Sequence, residues 1–192
     1  MSEQVDFYYD LVSPYSFLAA TQIAELEAKT GAKVNWKPIS LGGLFKKLGN
    51  GAPLANMPKI NHMFQQDLPR LANYFKVDYK KPEVFPTDTR LVQAALAVLP
   101  AEKRADLTRA LYQVYWGEGR DIAPLEVAEE VLGKELTALG GSEDARAALK
   151  GFTDELIERG GFGAPIFFWK DQMYFGSDRL PVLTDDLLAA KG

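Results

Sequence analysis

The amino-acid sequence predicts an α/β fold ordered as β-α-β, a block of helices, then β-β-α. Three observations predict it: a strand–helix–strand opening before residue 40, a stretch from 41 to 159 with almost only helical pattern, and strands that return only near the end as a hairpin.

Each element has its own signal. Val5-Asp6-Phe7-Tyr8-Tyr9 is short and aromatic, as strands are. From Pro14 to Lys29 the apolar residues Phe17, Leu18, Ile23, Ala24 and Leu26 fall close to helical spacing, and Thr30-Gly31 supplies a stop. Val34 to Ile39 is a second strand, with Pro38 near its end where a missing donor is tolerated. If the two strands are parallel, this opening is a right-handed crossover unit. The middle offers helices at 58–75, 88–99, 101–116, 124–132 and 142–159, punctuated by Pro100, Gly117, Gly119 and Gly140-Gly141. Phe85-Pro86 marks an extended approach, because a residue before proline avoids the helical region. Pro165 to Trp169 and Met173 to Phe175 form a hairpin about Lys170-Asp171-Gln172, and a closing helix covers Asp185 to Ala190 with a start near Leu180.

That order is a thioredoxin-like arrangement with a large all-helical insertion. Residues 1–40 and 160–192 make the thioredoxin-like part, and 41–159 the insertion, packed with it as one structural unit. An ordinary doubly wound sheet would need strands alternating with helices through the middle, and the pattern has none.

Composition narrows the chemistry. The 192 residues carry no cysteine, which excludes disulfides, thiolate metal sites and a cysteine nucleophile. A net charge of −4 without a basic run gives no footprint for nucleic acid or a membrane surface. No run reaches the roughly 20 apolar residues of a membrane span, and the N-terminal residues lack a signal-peptide pattern. The expectation is a soluble cytoplasmic protein. One histidine, His62, and no cysteine leave only carboxylates for a metal, so no metal site is expected. A serine hydrolase would need a base for its serine and a Gly-x-Ser-x-Gly elbow, and neither is present. His62 is read as a surface or groove residue, and no glycine motif for nucleotide phosphates occurs.

The junction Asp10-Leu11-Val12-Ser13-Pro14-Tyr15-Ser16 remains. Pro14 suits the first helical turn, which makes Ser13 the N-cap, beside free helix N–H groups. The plain reading of Ser13 is a cap worth about 1 kcal/mol against alanine. Its location says more. In a thioredoxin-like fold the Cys-x-x-Cys pair sits here, and this chain has Ser13-x-x-Ser16 at the same spacing. Opposite, Gly163-Ala164-Pro165-Ile166 opens the hairpin, with Pro165 expected cis.

With Ser-Pro-Tyr-Ser, Ala-Pro and Gly176-Ser177-Asp178-Arg179 together, the chain resembles the kappa-class glutathione transferases and their bacterial relatives, the 2-hydroxychromene-2-carboxylate isomerases, over essentially its whole length. The resemblance implies a DsbA-like thioredoxin fold, a homodimer and glutathione as cofactor. It implies that the glutathione cysteine backbone pairs with Ala164 beside Pro165 as an added strand. The γ-glutamyl end would meet Gly176, Ser177, Asp178 and Arg179, with helix N–H groups holding its carboxylate. Ser13 would donate towards the glutathione sulfur and stabilise its thiolate, Ser16 being structural. By position in the isomerases, Lys46 would pair with the carboxylate of an aromatic acid substrate and Asn56 would hold its hydroxyl or carbonyl oxygen. One isomerase of that family carries an arginine after that asparagine, where this chain has Met57. Asp88 and Asp121 are further candidates to line the cleft.

The implied activity is glutathione-dependent isomerisation of 2-hydroxychromene-2-carboxylate or a similar aromatic acid in aromatic degradation. The alternatives are a kappa-class-like glutathione transferase, which consumes glutathione, and a non-catalytic thioredoxin-fold binding module. The Ser-Asp-Arg run before the last helix favours an enzyme, since a peptide-binding module has no need of a γ-glutamyl pocket.

Overall fold

Alternation along the first strand sets the two faces of the sheet. The computed structural model describes residues 2–49 and 56–191. Within them, β1 (Gln4–Tyr9) leads through α1 (Pro14–Thr30) to β2 (Lys33–Pro38), which pairs parallel with β1. The helices α2 (Leu41–Leu48), α3 (Met57–His62), α4 (Leu68–Phe75), α5 (Arg90–Ala97), α6 (Ala101–Tyr112), α7 (Leu125–Leu132), α8 (Lys134–Gly140) and α9 (Glu143–Glu158) follow. β3 (Ile166–Trp169) then pairs antiparallel with β1 and turns into β4 (Gln172–Phe175), and α10 (Leu180–Ala189) closes the described chain. The sheet order is β2-β1-β3-β4, a mixed sheet whose first two strands are the parallel pair of the crossover unit.

Val5, Phe7 and Tyr9 point to one face with Trp36, Phe167 and Trp169, under α1, α10 and the middle helices. Tyr8 points to the other with Ile166 and Phe168, against Leu44 of α2 and Leu156 of α9. Phe7 stacks on Phe167 at 4.7 Å between ring centroids and meets Trp36 edge-on at 5.0 Å. Such pairs add about 0.5–1.5 kcal/mol each beyond the area they bury. The central strand therefore sits locked between two apolar layers, and whatever its C-terminal end carries is held rigidly.

On the second face, the polar end of the sheet is held by charge. Lys37 lies 2.7 Å from Glu155 and 3.1 Å from Asp6, and Arg159 lies 2.7 Å from Asp6. Burial alone would push the Asp6 carboxyl up; the bonds from Arg159 and Lys37 outweigh it and hold the group below its ordinary value.

The helical middle departs from the sequence pattern in four places. The 58–75 run is interrupted by a π-helical segment at Met63–Asp67, and 101–116 turns π-helical at Gln113–Gly117. Each wide turn re-aims the face that follows it, and the second carries Tyr115 and Trp116 fully into the core. The short helices α2 and α8 escape the periodicity altogether, at eight and seven residues. Among the described residues no helix is long and apolar enough to cross a membrane.

Candidate active site

The chain leaves β1 at Asp10 and makes one tight turn, in which the Ser13 N–H donates to the Asp10 carbonyl at 2.9 Å. Ser13 then caps α1 with extended backbone (φ −87°, ψ 113°), and Pro14 opens the helix, as the sequence predicts. Its Oγ accepts from the Ser16 N–H at 3.2 Å and donates to the Ala164 carbonyl at 3.3 Å. Ser13 is 5% exposed, so this hydroxyl sits at the rim of the core. Leu11, one step back, is pinned by side chains on both of its backbone groups: its N–H meets Gln93 Oε1 at 3.2 Å and its carbonyl accepts from Trp116 Nε1 at 2.8 Å. The turn that presents Ser13 has little freedom left.

The partner strand arrives with a cis Ala164–Pro165 bond, which agrees with the sequence expectation; Phe85–Pro86 is also cis. Pro165 passes its carbonyl to the Gly176 N–H at 3.0 Å, which brings the hairpin's two ends together. Among the described residues the Ala164 N–H has no backbone partner, while its carbonyl faces Ser13. A short extended peptide would find both an acceptor and a donor there.

The third side is the turn after β4. Gly176 adopts φ +108°, which favours glycine, and a Cβ there would stand 2.5 Å from Asp178 Oδ1 and turn that carboxylate aside. Ser177–Arg179 is a 3₁₀ turn packed against α1, with Ser177 buried and Arg179 3.1 Å from Asp178. Neither Ser177 nor Asp178 caps α10, whose first turn carries no side-chain cap. Its first N–H, that of Leu180, donates to the Ser177 carbonyl, and Pro181 has none. Ser13, Ala164, Pro165, Gly176, Ser177, Asp178 and Arg179 thus lie on elements that meet around the start of α1.

The other candidates are placed differently. Lys46 stands exposed in the last turn of α2, without an ion pair among the described residues. Asn56 is the N-cap of α3, and its Oδ1 accepts from the Lys59 N–H at 3.1 Å. Asp88 is taken up by Arg90, and Asp121 by Thr87 and the Ala123 N–H. His62 is exposed at the end of α3. A cavity of about 550 Å³ between α2, α5, α8 and α9 is lined by Lys47, Asp88, Arg90 and Arg146, and does not include Ser13.

Two groups near Ser13 had no role in the sequence reading. Tyr15 donates to Asp67 at 2.6 Å; burial first, and then Asp67, push its phenol up, so it stays protonated. Asp10 is 3% exposed, and burial pushes its carboxyl up to about 6. A carboxylate at the end of an otherwise aromatic strand was the signal that it is held by design of the fold.

A family model described as a DSBA-like thioredoxin domain matches residues 4–188. The chain is similar to a 2-hydroxychromene-2-carboxylate isomerase of Sphingobium xenophagum, 32% identical over 98% of this chain and 100% of that one. It is also similar to glutathione S-transferase kappa 2 of Caenorhabditis elegans, 27% identical over 95% and 91% of the two chains. A solved 2-hydroxychromene-2-carboxylate isomerase superposes with a TM-score of 0.85 and 26% identity, covering 97% of this chain and 95% of the other.

Proposed function

From the premise that this chain belongs to the DSBA-like thioredoxin-domain family, together with the 2-hydroxychromene-2-carboxylate isomerases, we propose that it is a glutathione-dependent isomerase of 2-hydroxychromene-2-carboxylate or a closely similar aromatic acid. The observation that carries the reading is the Ser13 hydroxyl at the start of α1, aimed at the carbonyl of Ala164 before cis-Pro165. The residues present fit glutathione. Ala164 offers backbone groups to an extended tripeptide, and Gly176 opens the turn that presents Ser177 and Asp178.

When bound, glutathione supplies a thiol whose reversible addition to a conjugated ring system allows rotation about the bond that must isomerise. Ser13 turns its hydroxyl from Ala164 to the sulfur and donates a hydrogen bond, while the N-terminus of α1 favours negative charge there. Asp178 accepts from the γ-glutamyl ammonium, and Arg179 pairs with the same carboxylate. Tyr15 keeps its proton and stays a donor at the cleft. Lys46 and Asn56 take the substrate carboxylate and oxygen, each by rotation of an exposed side chain. A homodimer in the cytoplasm belongs to the same reading.

The absence of cysteine removes the redox chemistry of the fold and leaves a site suited to ionising another molecule's thiol. Two experiments test this. Millimolar glutathione should raise the melting temperature; no shift would refute the glutathione site. Absorbance of 2-hydroxychromene-2-carboxylate should then change only with glutathione present, and without its consumption. Stoichiometric consumption would instead identify a transferase.

A further inference from the structure

Asp10 spends one buried carboxylate on three separate segments. Its Oδ1 accepts from the Val12 N–H at 3.0 Å and the Thr89 hydroxyl at 3.0 Å, and its Oδ2 accepts from the Leu41 N–H at 2.8 Å. Val12 immediately precedes Ser13, Leu41 is the first residue of α2, which carries Lys46, and Thr89 immediately precedes α5. The side that would ionise glutathione and the side that would receive the electrophile are therefore tied to the same two oxygen atoms.

Three donors converging on one carboxyl select its charged form. The Val12 and Leu41 N–H groups, one against each oxygen, can only donate, so an asparagine would set its NH₂ group against one of them, and a neutral carboxyl accepts from both more weakly than a carboxylate. The surroundings pull the other way. Among the described residues no lysine or arginine forms an ion pair with Asp10. The groups that face it are Asp88, whose charge opposes ionisation, and the phenols of Tyr9, Tyr112 and Tyr115. Tyr112 donates to the Asp10 backbone carbonyl at 3.1 Å, not to the carboxylate. A negative charge three residues before Ser13 would also work against a thiolate. What Asp10 contributes is therefore geometry.

We infer that Asp10 is the positioning residue of the thiolate site: ionised, it holds the Val12–Ser13 turn in register with α2 and the Thr89 loop, and protonated, it releases them. This rests on the glutathione reading for its catalytic consequence and on the hydrogen bonds alone for its structural one. Since burial places the carboxyl near pH 6, the site tightens as pH rises through that range and loosens below it.

The test compares wild type, Asp10→Asn and Thr89→Val. Turnover of 2-hydroxychromene-2-carboxylate at saturating glutathione is measured against pH, with the ultraviolet absorbance of the bound thiolate recorded alongside to remove the thiol's own titration. Wild type should show an acid limb near pH 6 in turnover per thiolate. Asp10→Asn should lose at least tenfold at neutral pH and lose the limb. Thr89→Val removes one donor to the carboxylate, so its limb should move to higher pH; this variant carries the test if Asp10→Asn does not fold. Wild-type turnover and an unchanged limb in a folded Asp10→Asn would overturn the inference, and so would an unmoved limb in Thr89→Val. If wild type forms no bound thiolate, the glutathione reading has failed by itself. Hydrogen exchange then decides on Asp10: the Leu41 and Val12 amides should exchange at least tenfold faster in Asp10→Asn, and equal protection would overturn the inference.

Discussion

Ser13→Ala should separate the two functions that meet in one hydroxyl. As a cap, Ser13 Oγ accepts from the Ser16 N–H at 3.2 Å, and it donates to the Ala164 carbonyl at 3.3 Å. Both distances lie at the long end of hydrogen bonding, so the stability lost belongs at the low end of the capping range, about 0.5–1 kcal/mol. For a domain of this size that lowers the melting temperature by about 1–4 °C. As a donor to a charged sulfur, the same hydroxyl is worth about 1.5–3 kcal/mol, or roughly 10- to 150-fold in rate. Circular dichroism melting and chromene-carboxylate turnover at saturating glutathione read the two effects on one preparation. A folded variant within twofold of wild-type turnover would refute the catalytic role. A melting loss several times larger than the cap allows would show that Ser13 holds the turn together and that the rate effect is indirect.

The Asp10 carboxyl binds its proton more tightly in the folded chain, at about 6 against an ordinary 3.8, so its contribution to stability falls as pH rises between those values. Between about pH 3 and pH 7 the urea-measured stability of Asp10→Asn should therefore gain about 3 kcal/mol relative to wild type; a pH-independent difference would contradict the buried titration. Gly176→Ala forces a side chain into φ +108° and against Asp178. It should cost roughly 1–3 kcal/mol in thermal unfolding and weaken glutathione binding in the same titration; full affinity would remove Asp178 from the γ-glutamyl contact. Asn56→Ser keeps an acceptor for the α3 cap and loses the amide. A raised KM for the aromatic acid with unchanged glutathione affinity supports a substrate role, and unchanged KM leaves Asn56 as a cap only.

Local signals carried much of this. Ser13-Pro14 reads as a helix start because cap and fixed φ act within three residues, and the structure has that cap. The aromatic alternation of Val5 to Tyr9 reads as a strand because its period survives whatever packs on it. The cis bond before Pro165 was legible only through the order of elements around it. The π segments at Met63–Asp67 and Gln113–Gly117 left no trace in the pattern, since one extra residue per turn is decided by what the following side chains must reach. Asp10 was visible as a residue but not as a junction. Its partners are Thr89, 79 positions away, and Leu41, 31 positions away, and only the folded chain brings those donors to its carboxylate.

Whether this chain ionises the thiol of glutathione is read from the ultraviolet titration of that thiol in the complex. Free thiols ionise near 8.5. In the wild-type complex the thiolate should appear at a pH at least one unit lower, and in Ser13→Ala the midpoint should move back towards the free value. A wild-type midpoint equal to that of free glutathione would contradict the account.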